Sequence, residues 1–299
     1  MRAARNPLPF SWEIKGMAQL AVSLNPAAAT RTRALWIPRE HGAWGMLLVP
    51  LLTGAAVGAR GGSYVALLWF TIAAVSLFWL RTPVESVLGT TVVRVRTSDE
   101  RRAAMIAVAG ISAVSLIALT ALFRGFQHLG LIVIGSIAGL AFALQAIVKN
   151  RNRRYRALAQ VIGAIGLTST SASAFYLASG KWNATAAVLW VLNWLFAAEQ
   201  ILFVQQRIHG VRLATTAERF ERAKPYIGTV TAILIAVSLL SLCKLAPAWT
   251  PLAFAPALVR ALVWFRSRPT TLDVHRLGWL ELANSSVFAI LIVLTFRTR

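Results

Sequence analysis

Long apolar stretches recur along the chain, separated by short polar segments that are rich in arginine. A helix that spans the hydrocarbon core of a bilayer needs about 20 mostly apolar residues. Nine stretches approach this length: residues 42–59, 63–80, 103–123, 129–148, 157–179, 183–206, 226–243, 249–265 and 277–296. The eighth is the weakest, because Pro251, Pro256 and Arg260 interrupt it. The pattern predicts an all-α integral membrane protein with about nine transmembrane helices.

The connections between these stretches are too short to hold a second folded domain. Residues 1–34 are therefore interpreted as a cytoplasmic amino-terminal tail, and residues 35–299 as one polytopic transmembrane domain. The apolar run after Met17 is stopped by Asn25 and Pro26, which is not typical of a signal peptide. A start at Met17 would shorten the tail.

The distribution of basic residues predicts the orientation of the helices. With nine spans, 24 of the 31 lysines and arginines fall on one side, six fall on the other, and Arg260 lies within a span. Lysine and arginine concentrate in cytoplasmic loops, so the amino terminus is predicted inside and the carboxyl terminus outside. All ten acidic residues also lie on the predicted inner side or in spans near it. A polar site, if present, is therefore expected to open towards the cytoplasm.

Composition narrows the class of partner. The formal net charge is +21, which in a soluble protein would suggest nucleic acid, but 57% of the residues are hydrophobic. Basic residues between apolar spans set topology and meet anionic lipid, so the bilayer is the expected partner and nucleic acid is not. The single cysteine, Cys243, excludes an internal disulfide.

Ionisable and amide side chains at membrane depth are candidate site residues, because such groups are expensive in hydrocarbon and need partners. Arg260 and Glu281 are predicted to pair, since each lies a few residues from the same predicted inner turn. Glu281, Asn284 and Ser285 share a helix face at spacings of three and four. The pocket candidates are Glu40, His41, Arg81, Glu85, Asn193, Glu199, Arg260, Glu281 and Asn284.

Each candidate also has a purely structural interpretation. Glu40 and His41 can simply begin a helix, whose positive dipole end favours an acid. Arg81 and Glu85 can be a surface ion pair four residues apart, although Pro83 lies between them. Glu199 and its neighbours can serve only as interhelical hydrogen bonds. No cofactor motif is present, and no spacing of histidines supports a metal site.

Several segments together resemble one family of bacterial membrane proteins. Residues 36–46 read WIPREHGAWGM, residues 81–85 read RTPVE, residues 192–194 read LNW, and residues 276–281 read RLGWLE. These segments resemble the YwiC-like family over about residues 35–297. The resemblance implies a multi-pass protein of the bacterial cytoplasmic membrane, and it implies no activity.

A weaker resemblance concerns the arrangement of spans. Nine spans, with long inner loops after the second and the sixth, are similar to the layout of UbiA prenyltransferases. Those enzymes hold magnesium through aspartate-rich motifs near these two loops. Here the first position offers only Glu85, then Asp99 and Glu100 after a gap, and the second offers Glu199, then Glu218 and Glu221. No aspartate-rich motif is present, so no catalytic residue can be transferred.

Three functions remain open at this point. The protein binds or modifies a lipid-soluble, isoprenoid-like molecule in a pocket that faces the cytoplasm; or it is a small-molecule transporter or permease; or it is a structural membrane partner without a small ligand. The first is favoured by the predicted inner cluster of polar side chains. Transport is disfavoured because the outer halves of the spans carry no charge.

Overall fold

The computed structural model describes residues 35–36, 41–59, 61–89, 94–125, 129–151, 155–210, 216–267 and 273–298. No strand occurs within these ranges. The predicted tail, residues 1–34, and the candidate Glu40 lie outside the described residues.

Each of the predicted apolar stretches corresponds to helical structure. The helices are α1 (His41–Gly58), α2 (Tyr64–Val87), α3 (Ser98–Gly125), α4 (Leu129–Arg151), α5 (Arg156–Ser179), α6 (Ala184–Gly210), α7 (Thr216–Leu242), α8 (Ala255–Ser267) and α9 (Val274–Arg297). Among the described helices, seven are long and apolar enough to span a membrane, which indicates a multi-pass membrane protein. The predicted all-α membrane class is therefore confirmed. The count of nine spans and the inside amino terminus remain predictions.

The two elements outside these seven are α1 and the eighth predicted stretch. The apolar part of α1, Gly42–Gly58, is a shorter apolar helix. The eighth stretch is not one continuous α-helix, because a 3₁₀ segment at Thr250–Phe254 precedes the 13-residue α8. Pro251 stands at the start of the 3₁₀ segment, and Pro256 stands in the first turn of α8. Both prolines stand in a first helical turn, where a missing backbone N–H breaks no hydrogen bond, and the helix type changes between them.

The chain forms two compact units. Of the described residues, the first unit holds those at 35–36 and within 75–116, and the second holds those within 41–74 and 117–298. In the first unit, the hydroxyl of Ser115 donates to Ser76 at 2.9 Å, and the indole of Trp79 donates to the carbonyl of Trp36 at 2.6 Å. Thr97 precedes α3 and accepts from the amide of Glu100 at 3.1 Å, which is one half of a capping box.

In the second unit, α1 and α5 pack with almost no space between their backbones. A methyl group added at Gly54 would lie 2.0 Å from the carbonyl oxygen of Ser171. One turn further, a methyl group at Gly58 would lie 2.7 Å from the carbonyl oxygen of Phe175. Small residues four apart let the backbones of two membrane helices come this close. Van der Waals packing then holds the helices together, because lipid tails provide no hydrophobic drive for their association.

Helix α6 is fixed against α5 by two tryptophans. The indole N–H groups of Trp190 and Trp194 donate to the carbonyls of Ile165 and Val161 at 2.9 and 3.0 Å. Further along α6, Phe196 stacks on Phe288 of α9 with ring centroids 3.8 Å apart. The stack of Phe196 on Phe288 places one face of α6 against α9. Towards the end of α6, the same face carries polar side chains.

Candidate functional site

Three charged side chains from three helices meet inside the second unit. Nη2 of Arg260 (α8) lies 2.8 and 2.6 Å from the two carboxylate oxygens of Glu199 (α6). Nη1 of Arg260 donates to Oε2 of Glu281 (α9). The side chains of Glu199, Arg260 and Glu281 are 3%, 13% and 10% exposed, so the triad is buried. The predicted pairing of Arg260 with Glu281 is confirmed, and Glu199 joins it.

Chain geometry explains why these residues reach the same depth. Arg260 lies seven residues before Ser267, the last residue of α8, and Glu281 lies seven residues after Val274, the first residue of α9. At 1.5 Å per residue, each is about 10 Å along its helix from the turn. Consecutive helices that reverse direction therefore bring them side by side.

Two aromatic side chains also contact the triad, and neither was among the pocket residues predicted from the sequence. The phenol of Tyr226 (α7) donates to Oε1 of Glu199 at 2.6 Å. The guanidinium carbon of Arg260 lies 4.1 Å from the centroid of the Phe203 ring, which gives a cation–π contact. Tyrosine at the start of an apolar stretch is ordinary at a membrane interface, so the sequence carried no signal for Tyr226.

The amides of α6 have different partners, although the sequence places them on one face. Gln200 donates to Ser285 at 2.7 Å and to Oε2 of Glu281 at 3.3 Å, which links it to the triad. Asn193 instead donates to Thr53 of α1 at 3.2 Å and to the carbonyl of Leu189 at 2.8 Å. Asn193 is thus a bridge between α6 and α1, and its hydrogen bonds go to Thr53 and Leu189, not to the triad.

Several buried polar atoms of the triad and of other side chains on α6 and α9 have no hydrogen-bond partner among the described residues. They are Nε2 of Gln206, Nε of Arg207, Nε of Arg260, Nδ2 of Asn284 and Oε1 of Glu281. Buried polar groups are nearly always paired, so each of these atoms needs an explanation. Arg207 also interacts electrostatically with Glu281.

Glu281, Asn284 and Ser285 are all buried, which confirms that they share an inward face of α9.

The two candidates at the end of the second span form a pair of their own. Arg81 and Glu85 belong to the first unit, where Nε of Arg81 lies 2.9 Å from Oε1 of Glu85. Helix α2 continues through Pro83 to Val87, so the predicted four-residue pair forms, and both side chains are partly exposed.

His41 is the first residue of α1, and its side chain lies outside the described structure. The membership of Glu40, His41, Arg81 and Glu85 in a common pocket therefore stays a prediction. Within the described ranges, no group of three or more His, Cys, Asp or Glu residues is placed to hold a metal ion.

A groove of about 570 Å³ runs between α7 and α8. Its lining is almost entirely apolar: Phe220, Tyr226, Ile227, Val230, Thr231, Leu234, Leu258, Val259, Ala261, Leu262, Trp264 and Phe265. Two of the lining residues, Tyr226 and Trp264, pack in a buried aromatic cluster with Phe203. Through the hydroxyl of Tyr226, which donates to Glu199, the lining of the groove is linked to the triad.

Comparison with known protein families gives a match to part of the chain. Residues 37–176 match the family model described as YwiC-like protein. This match confirms the resemblance to that family over residues 37–176, which include the segment at Arg81. No curated protein and no solved structure matches the chain significantly. The triad lies beyond the matched residues, and the similarity to UbiA prenyltransferases stays a prediction.

Proposed function

We propose that this protein binds a lipid-soluble molecule in the bacterial cytoplasmic membrane. The apolar part of the ligand occupies the groove between α7 and α8, and its polar end approaches the triad of Glu199, Arg260 and Glu281. The orientation predicted from the basic residues places this site in the cytoplasmic half of the bilayer.

The observation that carries the proposal is the double role of Tyr226. Its ring lines the groove, and its hydroxyl donates to the buried Glu199. One side chain thus connects an apolar groove with a buried cluster of ionisable side chains. Ligand sites typically combine an apolar wall with a few polar groups that fix orientation.

The composition of the groove supports an isoprenoid-like or other long apolar chain. Val259 and Leu262 are among its most exposed lining residues, so a chain can enter sideways from the bilayer. Its volume of about 570 Å³ lies within the range of about 300–1,000 Å³ that is usual for small-molecule sites. Buried ion pairs in membrane helices commonly mark functional positions, which is the second support.

Native mass spectrometry of the full chain, released from a mild detergent, tests this proposal. We expect a reproducible bound mass in the wild-type protein. Thr231 lines the groove, so Thr231→Trp should fill it and remove the bound mass. Thr229 lies on the same helix two residues away, does not line the groove, and donates to the carbonyl of Pro225 at 2.8 Å.

Thr229→Trp is the matched control, and it should retain the ligand. A wild-type protein that releases only bulk phospholipid contradicts the proposal. Equal retention by the Thr231→Trp and Thr229→Trp variants also contradicts it, because the ligand would then occupy another surface.

A further inference from the structure

The unpaired polar atoms of the triad and of other side chains on α6 and α9 indicate which polar group of a ligand this site would accept. Four of them are N–H donors, on Gln206, Arg207, Arg260 and Asn284, and only one is an acceptor, on Glu281. A buried donor gains most from a group that supplies oxygen lone pairs. This imbalance favours a ligand that accepts hydrogen bonds over one that donates them.

The charges of the same side chains disfavour an ionic ligand. Both terminal nitrogens of Arg260 are engaged by Glu199 and Glu281. With Arg207, which interacts electrostatically with Glu281, the cluster holds two guanidinium groups and two carboxylates, and its formal charge is zero. A phosphate would meet two carboxylates at close range and would have to displace one of them from Arg260.

Asn284 is a buried donor on the same helix as Glu281. It lies one turn along α9 from Glu281, is 8% exposed, and its Nδ2 has no partner in the described structure. Asn193 gives the contrast, because it is also a buried asparagine of a spanning helix, and its Nδ2 has two acceptors. The Nδ2 of Asn193 is therefore satisfied by hydrogen bonds within the protein, whereas the Nδ2 of Asn284 has no such bond in the described structure.

We infer that the ligand presents a neutral carbonyl group, as in a long-chain ketone or quinone, and that the side-chain amide of Asn284 donates to it. This inference rests on the proposed function, because it assumes that a lipid-soluble molecule occupies the groove. It adds the chemical class of the polar end and one residue that selects it.

The test uses the full chain in lipid nanodiscs and three probes that share one alkyl chain. The first probe ends in a methyl ketone, the second in a phosphate, and the third is the bare hydrocarbon. Binding to the folded state raises the Tm by mass action, so each affinity follows from the Tm as a function of probe concentration. We expect the ketone to bind about tenfold more tightly than the hydrocarbon, as one buried hydrogen bond provides. The phosphate is expected to bind no better than the hydrocarbon.

Two variants assign the effect to Asn284. Asn284→Leu keeps the approximate size and removes the amide, so the ketone should lose its advantage and bind like the hydrocarbon. Asn193→Leu should lower the Tm of the unliganded protein and leave the ratio of ketone to hydrocarbon affinity unchanged. Because each ratio is measured within one variant, a change in stability alone does not alter it.

The outcomes separate the inference from the proposal beneath it. If no probe binds, the proposed function is wrong, and the inference is wrong with it. If all three probes bind equally, or the phosphate binds most tightly, the groove binds lipid but the carbonyl inference is overturned. An unchanged ratio in Asn284→Leu also overturns the role of Asn284.

Discussion

Arg260 and Glu199 stand 61 positions apart in the sequence, and one nitrogen of the arginine contacts both oxygens of the glutamate. The other terminal nitrogen of Arg260 reaches Glu281, so a single guanidinium neutralises carboxylates from α6 and α9. Without it, two acids would face each other inside the protein. Arg260 therefore compensates the two acids of α6 and α9 at the level where Gln200 also bonds to α9.

Arg260→Leu should destabilise the protein by about 3–5 kcal/mol, because it leaves two buried carboxylates without their cation. Unfolding of the purified protein, followed by circular dichroism against denaturant or temperature, measures the loss. Arg266→Leu is the matched control on the same helix, where the residue is exposed and the effect should stay within about 0.5 kcal/mol.

The triple variant Glu199→Gln, Arg260→Met, Glu281→Gln should be more stable than Arg260→Leu alone, since replacing a whole buried ion network removes the uncompensated charges. A triple variant that is less stable than Arg260→Leu would show that hydrogen bonds of the carboxylates, and not their charge, dominate.

Tyr226→Phe removes the phenol that donates to Glu199 at 2.6 Å while keeping the ring on the groove. A hydrogen bond to a charged group contributes about 1.5–3 kcal/mol, so we expect a loss of stability in that range. Tyr64→Phe, at an exposed tyrosine, should have little effect in the same assay. Equal stability of the Tyr226→Phe variant and the wild type would mean that the phenol–carboxylate bond contributes nothing net.

Gly54→Ala should separate α1 from α5, because the new methyl group would lie 2.0 Å from a backbone oxygen that cannot rotate away. Overpacking of this kind destabilises by about 1–3 kcal/mol or more. A reduced yield of folded protein in fluorescence-detected size-exclusion chromatography is the expected result. Gly139→Ala, where nothing lies within 4 Å of the added carbon, should behave as wild type. Similar yields for both variants would contradict the close packing of α1 on α5.

Cys243 offers a direct test of the predicted orientation, since it is the single cysteine, is exposed, and follows the end of α7. If the amino terminus is inside, Cys243 faces out, and a membrane-impermeant maleimide should label it in intact cells. In a Cys243→Ser background, Glu221→Cys at the other end of α7 should react only after the cells are permeabilised. The reverse pattern would invert the topology.

The sequence by itself determined where the helices lie and which residues could not stay unpaired. Apolar length alone located all the described helices, because a backbone in hydrocarbon must satisfy its own hydrogen bonds. It also predicted the pairing of Arg260 with Glu281, since both lie near one short turn and neither tolerates hydrocarbon alone. Pro251 and Pro256 marked the weakest stretch, which the structure resolves into a 3₁₀ segment and a short helix.

Only the tertiary structure decided which helices these side chains meet. Helical periodicity assigns a residue to a face, but it does not say which neighbour packs on that face. Asn193 and Gln200 therefore looked equivalent in sequence, yet one bonds to α1 and the other to α9. Tyr226 joins Glu199 through contact between α6 and α7, and the groove is lined by side chains of both α7 and α8. Such contacts depend on side-chain packing between helices, which apolar length and charge do not encode.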